Sequence, residues 1–209
     1  MIKFYYSPRS SATRCQLALE ELGVPYEKIR IHLDKGEQKA PDFLAINPNG
    51  KIPALVDGDV KLFESLAIIL YLGERYGSEK GLWPKAGTRE QGEALSWTLW
   101  SASEIHHALF GVVMNGCDIP WAHPKEKRSA FIAEEGRKGW AASIAILDRH
   151  LAGRDYLLGK SYSLADTALG SVVMMGPMFA QLPLDGQNVT AWLGRLQSRP
   201  TFGKVMSEQ

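Results

Sequence analysis

Ser10 and Ser11 are adjacent hydroxyls at the point where a strand-like run, Ile2 to Tyr6, gives way to a helical pattern. A helix starting there presents unpaired N–H groups and the positive end of its dipole. A thiolate held against those groups would also gain a hydroxyl hydrogen bond, and all three interactions favour the anion and lower a thiol pKa. A serine in that place need not attack. It donates to the sulfur of a ligand. Either serine can equally be a plain N-cap, and Tyr6 is a third candidate donor. Glu64 and Ser65 open a second helical run and make a second candidate anion site, because such a terminus attracts negative charge. Ser65 can cap that helix at the same time.

These groups need a frame. Ile2 to Tyr6 is rich in strand-favouring residues. The helix after it closes at Gly23 and keeps Cys15, Ala18, Leu19 and Leu22 on one face. Tyr26 to Leu33 alternates as a second strand, which makes a βαβ unit with a right-handed crossover. Asn47-Pro48-Asn49-Gly50-Lys51 is a turn, and Ile52 to Val56 and Val60 to Leu62 flank Asp57-Gly58-Asp59 as a hairpin. Pro53 removes a ladder donor, so it belongs at a strand start or in a cis bend. The helix from Ser65 is apolar nearly all round and is expected to lie buried between the sheet and a second layer.

After Gly77 the pattern becomes helical. Residues 81–87 hold one Pro and two Gly and read as a linker. One long helix is expected from Glu90 to about Gly116 and a second on the seam Trp140, Ile144, Leu147 and Leu151. A third runs from Ser163 to about Met175 and a fourth from Asn188 to Ser198, stopped by Pro200. The order is βαβ, then ββα, then an all-α region of four or more helices. The expected boundaries are 1–77, a linker at 78–87, and 88–209.

Composition narrows the function. With 24 basic and 23 acidic residues the net charge is +1, and no basic patch points to nucleic acid. Apolar residues make up 45%, enough for a packed core. Cys15 and Cys117 lie far apart and form neither a CxxC nor a zinc-ligand spacing, so no metal is expected. The start lacks a signal-peptide core, and the apolar stretch from Ala168 to Leu182 is broken by Gly176-Pro177. A cytoplasmic protein without a membrane span is the expectation, and the sequon Asn188-Val189-Thr190 is then a chance match.

Three segments in this order resemble the cytosolic glutathione transferase family: Tyr6-Ser7-Pro8-Arg9-Ser10-Ser11-Ala12-Thr13-Arg14, then Asn47 to Leu55 with Phe63-Glu64-Ser65, and Ser163-Leu164-Ala165-Asp166. The resemblance covers essentially the whole chain. It implies a thioredoxin-like α/β domain (βαβ-α-ββα) followed by an all-α domain, and a homodimer. It implies that Pro53 is cis and that the backbone of Ile52 pairs with the cysteine of glutathione. Glu64 and Ser65 would hold the γ-glutamyl end, and the loop with Lys35 and Gln38 would reach the glycyl carboxylate, with Lys51 beside it. Aligned on Arg14, the serine-type classes put their active serine at Ser10. Aligned on Tyr6-Ser7-Pro8, the bacterial cysteine-type class puts its cysteine at Ser11.

With no thiol at either serine, a mixed disulfide with glutathione cannot form there. Cys15 reads as a core thiol. The resemblance implies activation of glutathione as thiolate and its reaction with an apolar electrophile, a detoxification chemistry. His106, in Glu104-Ile105-His106-His107, would face the active cleft, although a helical His is more often a packing residue. His107 would point about 100° away. Trp97, Trp100, Phe110 and Met114 could line the electrophile pocket or simply be core. Arg9-Ser10-Ser11 with Arg14 is also similar to the zeta-class isomerases of maleylacetoacetate, without their fuller Ser-Ser-Cys motif. A glutathione-dependent dehalogenase or etherase and a non-catalytic interaction module are the other readings. Ser163 and Asp166 read as a capping box, a folding element.

Overall fold

The computed structural model of the chain describes residues 1–208. Two compact units are present, one formed by residues 1–91 together with the segment from Ser198, the other by Gly92–Gln197.

The first unit is built on a mixed four-stranded sheet in the order β2-β1-β3-β4. Strand β1 (Ile2–Tyr6) pairs in parallel with β2 (Tyr26–Arg30) and antiparallel with β3 (Ala54–Asp57), which forms a hairpin with β4 (Val60–Phe63). Helix α1 (Ala12–Leu22) supplies the crossover and stops at Gly23, whose φ of 58° only glycine adopts without cost. Strand β2 is shorter than expected, ending at Arg30, because His32 N–H turns to the Glu37 carboxylate (2.7 Å) and the chain enters a 3₁₀ turn at Leu33–Lys35. The short α2 (Pro41–Leu44) places Phe43 over Ile31 and Ala54 on one sheet face, with Tyr5, Ile46 and Ile52 around it.

The other core centres on Phe4, Leu19, Leu22 and Leu55, with Ile68, Ile69 and Leu72 of α3 (Ser65–Leu72), all fully buried. Only that stripe of α3 is covered. Leu66, Leu70 and Tyr71 are half-buried and Ala67 is exposed, so the helix is less enclosed than its all-round apolar sequence implies. A π-helical turn, Gly73–Gly77, continues it. Trp83 packs so close to that turn that a Cβ on Gly73 would come within 2.7 Å of its ring.

In the second unit the expected single helix from Glu90 is α4 (Arg89–Trp100), a π-helical stretch Ser101–His106, and α5 (His107–Gly116). Helix α6 (Ala130–Leu151) is capped by Ser129, whose hydroxyl accepts from Ile132 N–H. It buries Trp140, Ile144, Leu147 and Leu151, as their spacing requires. Helix α7 (Leu164–Ala180) runs through Gly176 and Pro177, where the sequence reading ended it. Proline forfeits one helical bond. The bare Cα of Gly176 lets the Trp140 ring lie where a Cβ would stand 2.3 Å from it, and Leu182 N–H closes on Gly176 C=O. Helix α8 (Gln187–Gln197) follows.

Pro200 does not end the fold. It opens α9 (Pro200–Ser207), because the first helical N–H has no intrahelical partner to lose. Helix α9 returns to the first unit. Glu21 of α1, its side chain 6% exposed, accepts from Arg199 Nε (2.7 Å) and Nη2 (2.5 Å) and from the Thr201 hydroxyl, and Lys204 pairs with Glu20. No helix among the described residues is long and apolar enough to cross a membrane.

Candidate functional site

The turn between β1 and α1 carries both candidate serines, after Arg9 at a φ of 53°. They are used differently. The Ser10 hydroxyl donates to Ser7 C=O (2.7 Å) and accepts from Ala12 N–H (3.2 Å), so it ties the turn to the helix start. Ser11 is the N-cap residue by position, yet its side chain caps nothing. Its exposed hydroxyl instead lies 3.5 Å from the carbonyl oxygen of Ile52, 41 positions along the chain.

Ile52 precedes a cis peptide bond to Pro53, the isomer the resemblance implied. The turn before it is held by Asn47, which is 2% exposed. Its side-chain oxygen accepts from Asn49 N–H (3.0 Å) and its amide donates to Lys51 C=O (2.5 Å). The β3 ladder begins only at Ala54. The Ile52 backbone therefore stands at the head of β3, where an extended ligand could pair with it.

The first turn of α3 meets α1 from the other side. Ser65 is buried, and its carbonyl accepts from the Cys15 thiol at 3.3 Å. Burial pushes the Cys15 thiol up to about 12, with only Arg14 acting against it, so Cys15 is the inert core thiol expected. Glu64 takes a φ of 66°, a conformation costly for a residue with a Cβ. Arg14, on α1, is 5% exposed. Burial lowers its pKa, while the Cys15 and Glu64 charges raise it.

The loop that the resemblance assigns to the glycyl carboxylate has its side chains in different settings. Lys35 closes a 3₁₀ turn in the open. Gln38 donates weakly to Leu33 C=O (3.4 Å), and its side-chain oxygen is buried without a partner among the described residues. Lys39, which the sequence reading passed over, reaches the Asn47 turn and donates to Asn49 C=O at 3.2 Å. Gly50 has a φ of 57°, and a Cβ there would stand 2.8 Å from the backbone Gln38 C=O, so the position suits glycine. Lys51 is exposed on the same turn. Tyr6 lies elsewhere in the unit. Its ring stacks on Phe4 (6.0 Å) beneath the Lys28 ammonium (4.7 Å), on the side where Lys28 pairs with Glu208.

In the second unit His106 is half-buried and its ring lies 4.4 Å from Phe110. Phe110 stands 6.0 Å from Trp121, which meets Phe179 at 5.9 Å. Trp121 is 44% exposed. Trp97 and Trp100 do not join this row. Trp97 packs on Trp100 (5.3 Å) and on His150 (4.2 Å). Trp121 and Phe179 follow no spacing that links them to Phe110 and were missed. Asp166 is fully buried and accepts from Leu157 N–H (2.8 Å), Trp192 Nε1 (2.9 Å), Ser163 N–H (2.9 Å) and the Ser163 hydroxyl (3.0 Å). The expected return bond to Ser163 N–H is present, and the hydroxyl donates to the carboxylate as well. This is a folding element. Among the described residues no group of three His, Cys, Asp or Glu could hold a metal ion.

Comparison with known proteins matches this frame. The chain is 33% identical to glutathione S-transferase F10 of Arabidopsis thaliana, over 100% of its own length and 98% of that protein's. It is 31% identical to the disulfide-bond oxidoreductase YfcG of Escherichia coli K12, over 99% and 94%. The glutathione transferase URE2P6 of Phanerochaete chrysosporium, solved with oxidized glutathione, superposes with a TM-score of 0.85 at 28% identity, covering 99% and 95% of the two chains. A glutathione S-transferase-I bound with lactoylglutathione gives 0.81 at 28% identity, over 100% and 99%. Residues 2–74 match the glutathione S-transferase N-terminal domain and residues 112–200 the C-terminal domain, so the chain belongs to the glutathione S-transferase family.

Proposed function

We propose that the first unit binds glutathione, holds its thiol as thiolate at the Ser10–Ser11 turn, and presents that sulfur to an apolar electrophile. The observation that carries this reading is the Ser11 hydroxyl beside Ile52 C=O at a cis Ile52–Pro53 bond. A cysteinyl backbone paired with Ile52 would bring its sulfur toward that hydroxyl and the N-terminus of α1. The Ser10 hydroxyl is held by Ser7 C=O at 2.7 Å, whereas the exposed Ser11 hydroxyl has only a long 3.5 Å contact to Ile52 C=O to give up, so Ser11 is the donor to sulfur and Ser10 sets the turn. The thiol proton leaves to solvent and the sulfur lone pair forms the new C–S bond. The leaving group departs with its electrons, or in an addition the product carbon takes a proton. Lys39, with Lys51 beside it, meets the glycyl carboxylate, and Glu64 and Ser65 meet the γ-glutamyl end.

The apolar electrophile rests on the resemblance, and the second unit by itself carries a row of rings, His106, Phe110, Trp121 and Phe179, of the kind that stacks on planar π-systems. Two unpaired cysteines suit a reducing, cytoplasmic setting. The homodimer rests on the resemblance. Exposed Phe131 and Ile132, beside a groove lined by Gly111, Gly136 and Gly139, offer apolar surface for it, and light scattering decides. The main test is thiolate absorbance of bound glutathione against pH. A bound thiol whose pKa matches that of free glutathione overturns the reading.

A second reading has one specific motive, the likeness to YfcG. The only thiol near the turn is Cys15, which is fully buried, so any disulfide exchange would have to run between glutathione molecules. Turnover of a small mixed disulfide in the Cys15→Ala protein tests it.

A further inference from the structure

The turn Ser7-Pro8-Arg9-Ser10 leads directly into the exposed Ser11. Its proline ring locks φ at about −65°, and the next residue, Arg9, has a φ of 53°. Proline followed by a positive φ is the pattern of a type II turn, whose third position favours glycine or asparagine. The Ser10 hydroxyl clasps the turn by donating to Ser7 C=O at 2.7 Å. Arg9 is thereby held in a conformation that crowds its Cβ against the backbone.

Among the described residues of the first unit, eight positions have a positive φ. Six are glycine, which takes that conformation without cost, so the other two keep a side chain against the cost. One is Glu64, at the opening of α3. The other is Arg9. Both are charged and exposed, so burial does not explain either side chain.

Chain geometry sets the range of the Arg9 charge. Two residues span at most about 7 Å, so the Arg9 Cα lies within about that distance of the Ser11 Cα. A long arginine side chain bridges such an interval. A sulfur held at the Ser11 hydroxyl would then have a permanent cation within one side-chain length. A guanidinium attracts acid groups over that range and matches a carboxylate in a two-point fork.

We propose that Arg9 is a specificity-determining residue that selects electrophiles carrying a carboxylate or similar acid group near the reacting carbon. This rests on the reading that the glutathione sulfur is held at the Ser11 turn. The preferred electrophile is then amphipathic, an apolar body with one acid group. The conformational cost at Arg9 is offset by the charge it places there.

The experiment compares two electrophiles, N-(4-chloro-3-nitrobenzoyl)glycine and the matching glycinamide, which differ only in the carboxylate. In both, the glutathione thiolate forms the C–S bond at the chlorinated ring carbon, the C–Cl bond breaks, and chloride leaves with the electron pair. Wild-type kcat/KM should favour the acid over the amide. That preference should shrink as salt is raised toward about 1 M, where charges are screened within a few ångströms. Arg9→Asn removes the charge and suits the left-handed turn. It should lower the acid-to-amide ratio about fivefold, the size of a good exposed charge contact, with KM for glutathione unmoved. Arg9→Glu should turn the preference toward the amide. No acid preference in the wild type, a ratio that Arg9→Asn leaves intact, or a loss that falls on KM for glutathione overturns the inference. Wild-type protein that neither binds glutathione nor turns over either chloride overturns the functional reading itself.

Discussion

The Ser11 hydroxyl stands 3.5 Å from the carbonyl oxygen of Ile52, while the adjacent Ser10 hydroxyl donates into its own turn at 2.7 Å. Two neighbouring serines thus do different work, and the difference is measurable. Ser11→Ala should lower kcat/KM about a hundredfold or more, on the scale of removing one donor to a developing or bound anion. It should also raise the pKa of bound glutathione. Ser10→Ala should cost about 1 kcal/mol of stability, as a lost helix-start bond does, with a smaller kinetic effect. The pH dependence of bound-thiolate absorbance in the two variants checks the order. The larger pKa rise in Ser10→Ala would reverse it.

Lys39 lies on the Asn47 turn and Lys35 does not. Lys39→Met should raise KM for glutathione several-fold more than Lys35→Met, since only the former removes a cation beside the Ile52 segment. Initial-rate kinetics with glutathione varied would show it. Equal KM values in the two variants would move the glycyl contact back to the outer loop.

Burial holds the Cys15 thiol up to about 12, against an ordinary 9.0. The folded protein then keeps a proton that the unfolded chain releases between those values. This stability is fully present below about pH 9 and is lost as pH rises through 9 toward 12, at roughly 1.4 kcal/mol per pH unit. Urea melts of wild type and Cys15→Ala across that window should differ in slope, the variant being flatter. In the native state at neutral pH only Cys117 should react with a thiol reagent, and both cysteines should react after unfolding.

Glu21 receives two Arg199 bonds and the Thr201 hydroxyl while almost fully buried. Glu21→Ala leaves Arg199 and Thr201 without that acceptor and should cost about 2 kcal/mol or more. The loss should appear as proteolytic release of α9 before global unfolding. Glu20→Ala, which removes the outer pair with exposed Lys204, should cost well under about 1 kcal/mol.

Asp166 gathers four donors at zero exposure. Asp166→Ala strands the Trp192 and Leu157 N–H groups and should destabilise by about 3 kcal/mol or more. In protein that still folds, glutathione affinity should be unchanged, since nothing in this network belongs to the first unit. Thermal melts and calorimetry on the same preparation separate the two.

Much of the frame was readable from residue order. Gly23 ends α1 because its left-handed φ favours a residue without a Cβ, and the Trp140-Ile144-Leu147-Leu151 seam is buried because those positions share a helix face. The helix opening at Glu64-Ser65 and the Ser163–Asp166 pair were likewise legible, since each is a local arrangement with a local chemical signature, whereas the cis bond at Pro53 followed from the family resemblance. The stop before Pro200 holds, since α8 ends at Gln197, but the further helix α9 was not foreseen, because a proline that ends one helix also suits the first position of the next. The reading failed at Pro177, where a close-packed Trp140 sustains the helix. It preferred Ser10 over Ser11 and Tyr6, named Lys35 and Lys51 without Lys39, and did not join Trp121 to Phe179. Those choices depend on partners far away in sequence, such as Ile52 for Ser11 and Asn49 for Lys39. Residue type and spacing determine which backbone conformations a segment accepts. Which two side chains then meet is decided by the packing of distant segments, and only the tertiary structure brings those together.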